Sequence, residues 1–159
     1  IEKINRVFVH RIDKLGETAV EICTRFQTDP DIAKYTGGEN PYTFFVSRNG
    51  TVEQACPIVE KTSHARRFNQ QGLGVAVIGD FRFESPTQEQ WLSAVELCAL
   101  ICLWKDVRIF GHTEVPGASK DPNKDCPGRM FNMNGFRHDV FLLQQTLREK
   151  TLLDAGAIF

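Results

Sequence analysis

The sequence has no hydrophobic run near the roughly 18 residues that a membrane-spanning helix requires, so no helical membrane span is expected. It has no excess of either charge. Lys plus Arg number 19 and Asp plus Glu number 20, for a formal net charge of -1. That balance argues against a dominant nucleic-acid or anionic-membrane partner, although a local basic patch would not show in the total. There is no CxxC pair. The five cysteines, at positions 23, 56, 98, 102 and 126, are odd in number and widely spaced, which speaks against a disulfide scaffold. At least one is therefore a free thiol or a ligand. No internal repeat, low-complexity tract or Pro/Gly/Ser-rich linker occurs, so residues 1–159 are expected to form a single domain. No basic start followed by an apolar stretch is present, so no secretory signal is expected in this sequence. The first residue, Ile1, leaves a processed or trimmed start open.

What the chain does have is enough apolar material for a core. Hydrophobic residues make up 42% and charged residues 25% of 159 residues, as in ordinary globular domains. A chain of this length buries about 70% of its unfolded surface. Arg6 to Arg11 alternates and reads as a strand, with Val7 and Val9 on one face and Phe8 and His10 on the other. Glu17 to Phe26 carries Ala19, Ile22, Cys23 and Phe26 at helical spacing. Residues 28 to 41 read as loop, punctuated by Pro30, Gly37, Gly38 and Pro41. Tyr42 to Ser47 and Thr51 to Ala55 read as a hairpin around Asn49-Gly50. Gly72 to Gly79 (GLGVAVIG) reads as a strand buried on both faces. A helix is expected from Ser85, with Pro86 in its first turn and Gln88 completing a capping box. Its apolar stripe is Trp91, Ala94, Val95, Cys98, Ile101 and Cys102. Val107 to Phe110 reads as a short strand and Thr113 to about Gly128 as a loop. Phe136, Val140, Leu143 and Leu147 mark a last helix. Strands alternating with helices predict an α/β domain with a central mixed sheet flanked by helices.

Three residues have the chemistry of a catalytic metal site. Such a site needs three protein ligands, from His nitrogen, Cys sulfur or carboxylate, and an open fourth position. His10 ends the first strand, His112 follows the strand Val107 to Phe110, and Cys126 lies in the next loop before Pro127. Strand ends and the loops leaving them are rigid mounts for ligands. Two histidines and one distant cysteine do not by themselves single out a metal site.

The segment GHTEVPGASKDPNKDCPGRMF resembles the metal-binding segment of zinc N-acetylmuramoyl-L-alanine amidases, a family that includes amidase-type phage lysozymes and peptidoglycan recognition proteins. VFVHR resembles the family's first strand, NPYTFFVSRNGTVEQ its hairpin, and TSHARRFNQQGLGVAVIGDF its SHA segment and central strand. The resemblance runs from about Arg6 to Phe131, with four motifs in family order. It implies a single zinc ion held by His10, His112 and Cys126. It also implies an active-site Tyr42, a lysine near the metal at Lys124, and His64 as a cleft-wall residue touching substrate. There are departures. Some bacterial relatives carry a carboxylate as third ligand and a glutamate in the central strand, whereas here Cys126 holds that position and GVAVIG has no acid. The interval from His112 to Cys126 exceeds that of compact phage lysozymes, so Ala118 to Asn123 are expected to bulge beside the cleft.

Other candidate residues have plainer readings. Cys98, Cys102 and Cys23 lie on apolar helix faces and read as core thiols; Cys56 reads as structural and His138 as solvated. Arg66 and Arg67 form a basic step that would bind an acidic peptide stem or remain solvated. Glu114 would orient a ligand histidine or face water. The residue types suit amide hydrolysis. A bound zinc lowers the pKa of water toward about 7, and a tetrahedral oxyanion needs a second positive or donor group. Lys124 and Tyr42 are the candidates.

The leading expectation is a zinc amidase that cuts between the lactyl group of N-acetylmuramic acid and L-alanine, endolysin-like and acting at the bacterial cell wall. Peptidoglycan is its partner, and a monomer is expected. A peptidoglycan-binding module without catalysis and a phage regulator that binds another protein are the alternatives. Cys126 and Lys124 favour the enzyme.

Overall fold

The alternating run RVFVHRI forms strand β1 (Arg6–Ile12). Because successive side chains leave a strand on opposite faces, β1 serves both layers of the molecule. In the computed structural model, which describes residues 3–13, 16, 18–65 and 67–154, Val7 and Val9 enter the main core. Phe8 enters a small separate cluster with Ala65 and Val115. His10 lies on the Phe8 face.

The chain continues through α1 (Ala19–Thr28), α2 (Pro30–Thr36), β2 (Phe44–Val46), β3 (Val52–Gln54), β4 (Gly72–Ile78), α3 (Gln88–Trp104), β5 (Arg108–Gly111) and α4 (Met133–Asp154). The sheet order is β3-β2-β4-β1-β5. β1 pairs in parallel with both β4 and β5, β2 pairs in parallel with β4, and only β2 and β3 run antiparallel. The mixed sheet flanked by helices matches the expected class. Every residue of β4 is buried, as its unbroken apolar run requires of a central strand covered on both sides.

Helices α3 and α4 cover one face. Their residues Ala94, Val95, Cys98, Phe136 and Val140 meet Val7, Val9, Leu73, Val75 and Val77 from the sheet. Trp91, Phe131 and Phe136 pack in tilted and edge-on pairs with centroids 5.3 Å apart. The Trp91 indole N–H donates to Asp139 at 2.8 Å, tying the two helices. On the opposite face α1 covers only one end, packing Ala19 and Ile22 on Ile12, Ala76 and Ile78. The Phe8 cluster covers another part. His10 lies on β1 between these two clusters, and this gap is where the site is built.

Three boundaries differ from expectation. Residues 28–41 are not all loop, because Pro30–Thr36 is helical. Asp29 caps its first turn through Asp31 N–H, with Pro30 at the first position, and Gly37 ends it at φ 66°. Those are helix start and stop signals on too short a run for periodicity to show. The α3 cap is Thr87 rather than Ser85, and the reciprocal box partner is Gln90. α1 is likewise boxed by Thr18 and Glu21 and begins at Ala19; Glu17, its expected start, lies outside the described residues.

Candidate metal centre

β1 delivers His10 and β5 delivers His112. Val9 is paired with Gly111, so the two histidines leave neighbouring strands one residue beyond that pair. Their rings lie 4.6 Å apart between centroids. Cys126 completes the group from the loop before α4, with Sγ 3.7 Å from His10 Nδ1. One donor atom from each of the three lies within 4.8 Å of the others. Tetrahedral bonds of about 2.0–2.3 Å place ligand atoms somewhat closer than that, so small side-chain adjustments bring all three onto one ion.

The surroundings of these atoms fit a cation. His10 is 1% exposed, and its Nε2 has no hydrogen-bond partner. An unpaired buried imidazole nitrogen is costly unless something else takes its lone pair or proton. Burial holds the pKa of His10 well below the usual histidine value, with His112 and His64 adding to the effect, and burial also lowers His112. Both are therefore neutral near pH 7 and ready to act as ligands. Burial pushes the Cys126 thiol up to about 11, against the opposing effect of the Arg11 N–H and charge. A thiolate there calls for a positive partner. Two imidazoles and one thiolate are a catalytic donor set for zinc, with a fourth position open.

Cys126 is held from two sides. The Arg11 backbone N–H donates to its Sγ at 3.5 Å. The Thr113 N–H and hydroxyl donate to its carbonyl at 2.9 and 3.1 Å. Glu114 is exposed, as one of its two readings expected, but is not merely solvated. Its carboxylate accepts from Gly111 N–H at 2.7 Å and from both Arg137 Nη atoms at 2.8 and 3.1 Å. It thereby fastens the turn carrying His112 to α4 without touching an imidazole.

Tyr42 is half-buried, with its ring 4.9 Å from His10. Burial raises its phenol pKa far above the ordinary value, and Cys126 adds to the rise, so the group is a neutral hydroxyl donor. Lys124 ends a short 3-10 turn, Pro122–Lys124, is exposed, and shares the Cys126 loop. His64 packs behind the centre instead of standing on an open wall. Only 6% exposed, it meets the His10 ring edge-on at 5.5 Å. Its Nε2 lies 3.1 Å from the Gly72 carbonyl, while Nδ1 is unpartnered. Burial lowers its pKa to about 4. Arg66 lies outside the described residues. Its neighbour Arg67 is exposed at φ 74°. With His112 and Val115 to Ser119 it lines a cavity of about 320 Å³. Ala118 and Ser119, the start of the expected bulge, are thus beside the site.

Cys98 and Cys102 are buried in the main core, and Cys56 is buried with its Sγ near the Tyr42 carbonyl. Cys23 packs against the α1 cluster and His138 is exposed. Sequence reasoning missed Arg11, Asp80, Arg82 and Thr113. Only Arg11 had a signal, its place next to His10.

The mixed sheet thus brings two histidines and a cysteine together beside a cavity, an α/β domain with a three-donor group able to hold a metal. The model of the N-acetylmuramoyl-L-alanine amidase family matches residues 2–129, and the chain belongs to that family. Peptidoglycan-recognition protein 1 of Holotrichia diomphalia is 29% identical over 99 residues, which is 60% of this chain and 50% of that protein. The chain thus spans about half the length of this curated relative. Among solved structures, the endolysin N-acetylmuramoyl-L-alanine amidase LysCS from Clostridium intestinale superposes with a TM-score of 0.71 at 22% identity, covering 87% of this chain and 84% of that one. The ectodomain complex of peptidoglycan recognition proteins LCa and LCx bound to tracheal cytotoxin matches with a TM-score of 0.65 at 20% identity, over 81% and 78% of the chains.

Proposed function

We propose that this protein is a zinc-dependent hydrolase of the amide between the lactyl group of N-acetylmuramic acid and L-alanine in peptidoglycan, with an endolysin-like role at the bacterial cell wall. The observation that carries this reading is the convergence of His10, His112 and Cys126 within 4.8 Å. Family membership supplies the bond class. The solved recognition-protein complex with tracheal cytotoxin supports a muropeptide ligand.

When bound, zinc supplies Lewis acidity and a water whose pKa is lowered toward about 7. The chain's own groups do the rest. His10, His112 and Cys126 hold the ion and leave one side open toward substrate. The Tyr42 hydroxyl, kept protonated by burial, donates a hydrogen bond to the scissile carbonyl oxygen as negative charge develops there. Lys124 brings a cation to the same oxyanion from the Cys126 loop. The leaving amine takes its proton from the attacking water or from one of these two groups. Arg67, and its sequence neighbour Arg66 by charge, attract the acidic stem toward the cavity next to His112, while His64 backs the His10 ring.

Digestion of purified peptidoglycan followed by mass identification of the released ends tests this function. Free L-alanine amino ends on intact glycan are expected. New reducing sugar ends would make the protein a glycosidase. Binding without any release would leave only a recognition module.

A further inference from the structure

We propose that Arg11 is a positioning residue that clamps the Cys126 loop onto the sheet and so presets the third ligand; the inference rests on reading His10, His112 and Cys126 as a metal centre. β5 ends at Gly111, opposite Val9, so no β5 residue pairs with Arg11. Its backbone N–H turns to Cys126 Sγ at 3.5 Å. The side chain, 10% exposed, folds over the same loop. Its Nε donates to the Asp125 carbonyl at 2.8 Å and its Nη2 to the Asn123 carbonyl at 3.4 Å. Its Nη1 faces Asp13 at 3.1 Å and Asp80 at 3.4 Å.

Arg82 reinforces the clamp from the turn after β4. It donates to the Asn123 carbonyl at 2.7 Å and is paired with Asp80. Residues 119–124 are otherwise exposed. Two guanidinium groups, held in place by shared carboxylates, therefore converge on the carbonyls just ahead of the ligand thiol. Only a planar fork of five donors can span a backbone carbonyl on either side of Lys124 and two carboxylates at once; an ammonium cannot. The Arg11 side chain, only 10% exposed, is engaged by protein partners. It acts through Cys126, as residues that orient ligands commonly do.

The test compares wild type, Arg11→Met and Arg11→Lys by zinc titration against a chromophoric chelator and by the cobalt(II) spectrum. Iodoacetamide labelling of Cys126 in metal-free protein, read by peptide mass, is measured in parallel. In Arg11→Met, zinc affinity should fall about 10- to 100-fold, the usual cost of losing a group that orients a ligand. The thiolate-to-cobalt band should weaken and Cys126 should label faster. Arg11→Lys should recover part of each, and Lys34→Ala, whose ion pair with Asp31 lies within α2, should match wild type. A merely structural Arg11 would lower the melting temperature and leave the cobalt band unchanged.

If Arg11→Met does not fold, Arg11→Lys and Arg82→Gln carry the comparison, each with a smaller loss. Wild-type zinc affinity, cobalt band and labelling rate in the folded variants would overturn the clamp. A wild type that binds no zinc would instead sink the metal-centre reading. The labelling rates then still decide whether Arg11 fixes the thiol.

Discussion

Gly111 and Pro127 touch so closely that a Cβ on Gly111 would lie 2.9 Å from Pro127 Cδ. Gly111 immediately precedes His112 and Pro127 immediately follows Cys126, so this contact sets the spacing of two donors that are 14 positions apart in sequence. The absence of a side chain at Gly111 is what lets the loop approach β5. Met133 Cγ would also lie 3.2 Å from the added methyl group.

Gly111→Ala should therefore separate the ligands without removing one. Overpacking of this kind costs about 1–3 kcal/mol. The variant should melt earlier than wild type and hold less zinc after dialysis at limiting metal. Unchanged zinc retention would mean that the loop absorbs the methyl group without moving Cys126.

Cys126→Ala should lose most of the bound zinc, because the thiolate is the strongest donor of the set. Elemental analysis of wild type should give close to one zinc per chain, removable by a chelator with loss of activity. Cys98→Ala is the matched control. That thiol is fully buried in the main core, so its removal should lower stability and leave zinc content unchanged. Zinc retained in full by Cys126→Ala would eliminate the centre as drawn.

Both successes and misses of the sequence reading have physical causes. β1, β4 and α3 were legible because a long buried segment leaves a period: alternation at Arg6–Ile12, an unbroken apolar run at Gly72–Ile78, and a stripe from Trp91 to Cys102. α2 was not legible, since seven residues with none buried leave no stripe. The three donors could be named from their motifs, but their meeting point could not. It depends on strand register, with Val9 opposite Gly111, and register is a tertiary property. The burial of His64 was hidden for a related reason. Gly72 and Gly74 lack the side chains that would collide with its ring, and only the folded sheet puts those glycines beneath it. The ties of Arg11 and Arg82 to Asn123 span 112 and 41 positions respectively, beyond any local pattern.

Acid should loosen the fold partly through Asp80. Its hydrogen bond to Arg82 is the main cause of a carboxyl pKa held below the usual aspartate value of about 3.8, with Arg11 adding charge. A carboxylate whose folded-state pKa is depressed stabilises the fold above its unfolded value, and that contribution is lost as pH falls through the folded value. Asp80→Asn should therefore melt earlier than wild type at pH 7, with the gap closing as the pH drops below about 3.8 toward the folded pKa. Melting of the metal-free proteins across that range checks the sign. A gap independent of pH would mean that the carboxylate charge contributes nothing.

Lys124→Ala should cripple turnover while leaving zinc and fold intact. The side chain is exposed and sits two positions before Cys126, so its loss opens no cavity and removes no ligand. Its assigned task is to meet the oxyanion, which exists only near the transition state. An interaction made only there lowers kcat and kcat/KM together. The expected loss is on the order of 10²- to 10³-fold, as for a single oxyanion donor. Tyr42→Phe is the companion test, because it deletes the hydroxyl and keeps the ring against His10 and Phe45. A comparable fall in kcat at constant zinc content would place both groups at the reacting carbonyl. A rise in KM alone for Lys124→Ala would make that residue a substrate anchor. Full activity with zinc retained would end its oxyanion role and leave Arg67, exposed in the cavity beside His112, as the next cation to test.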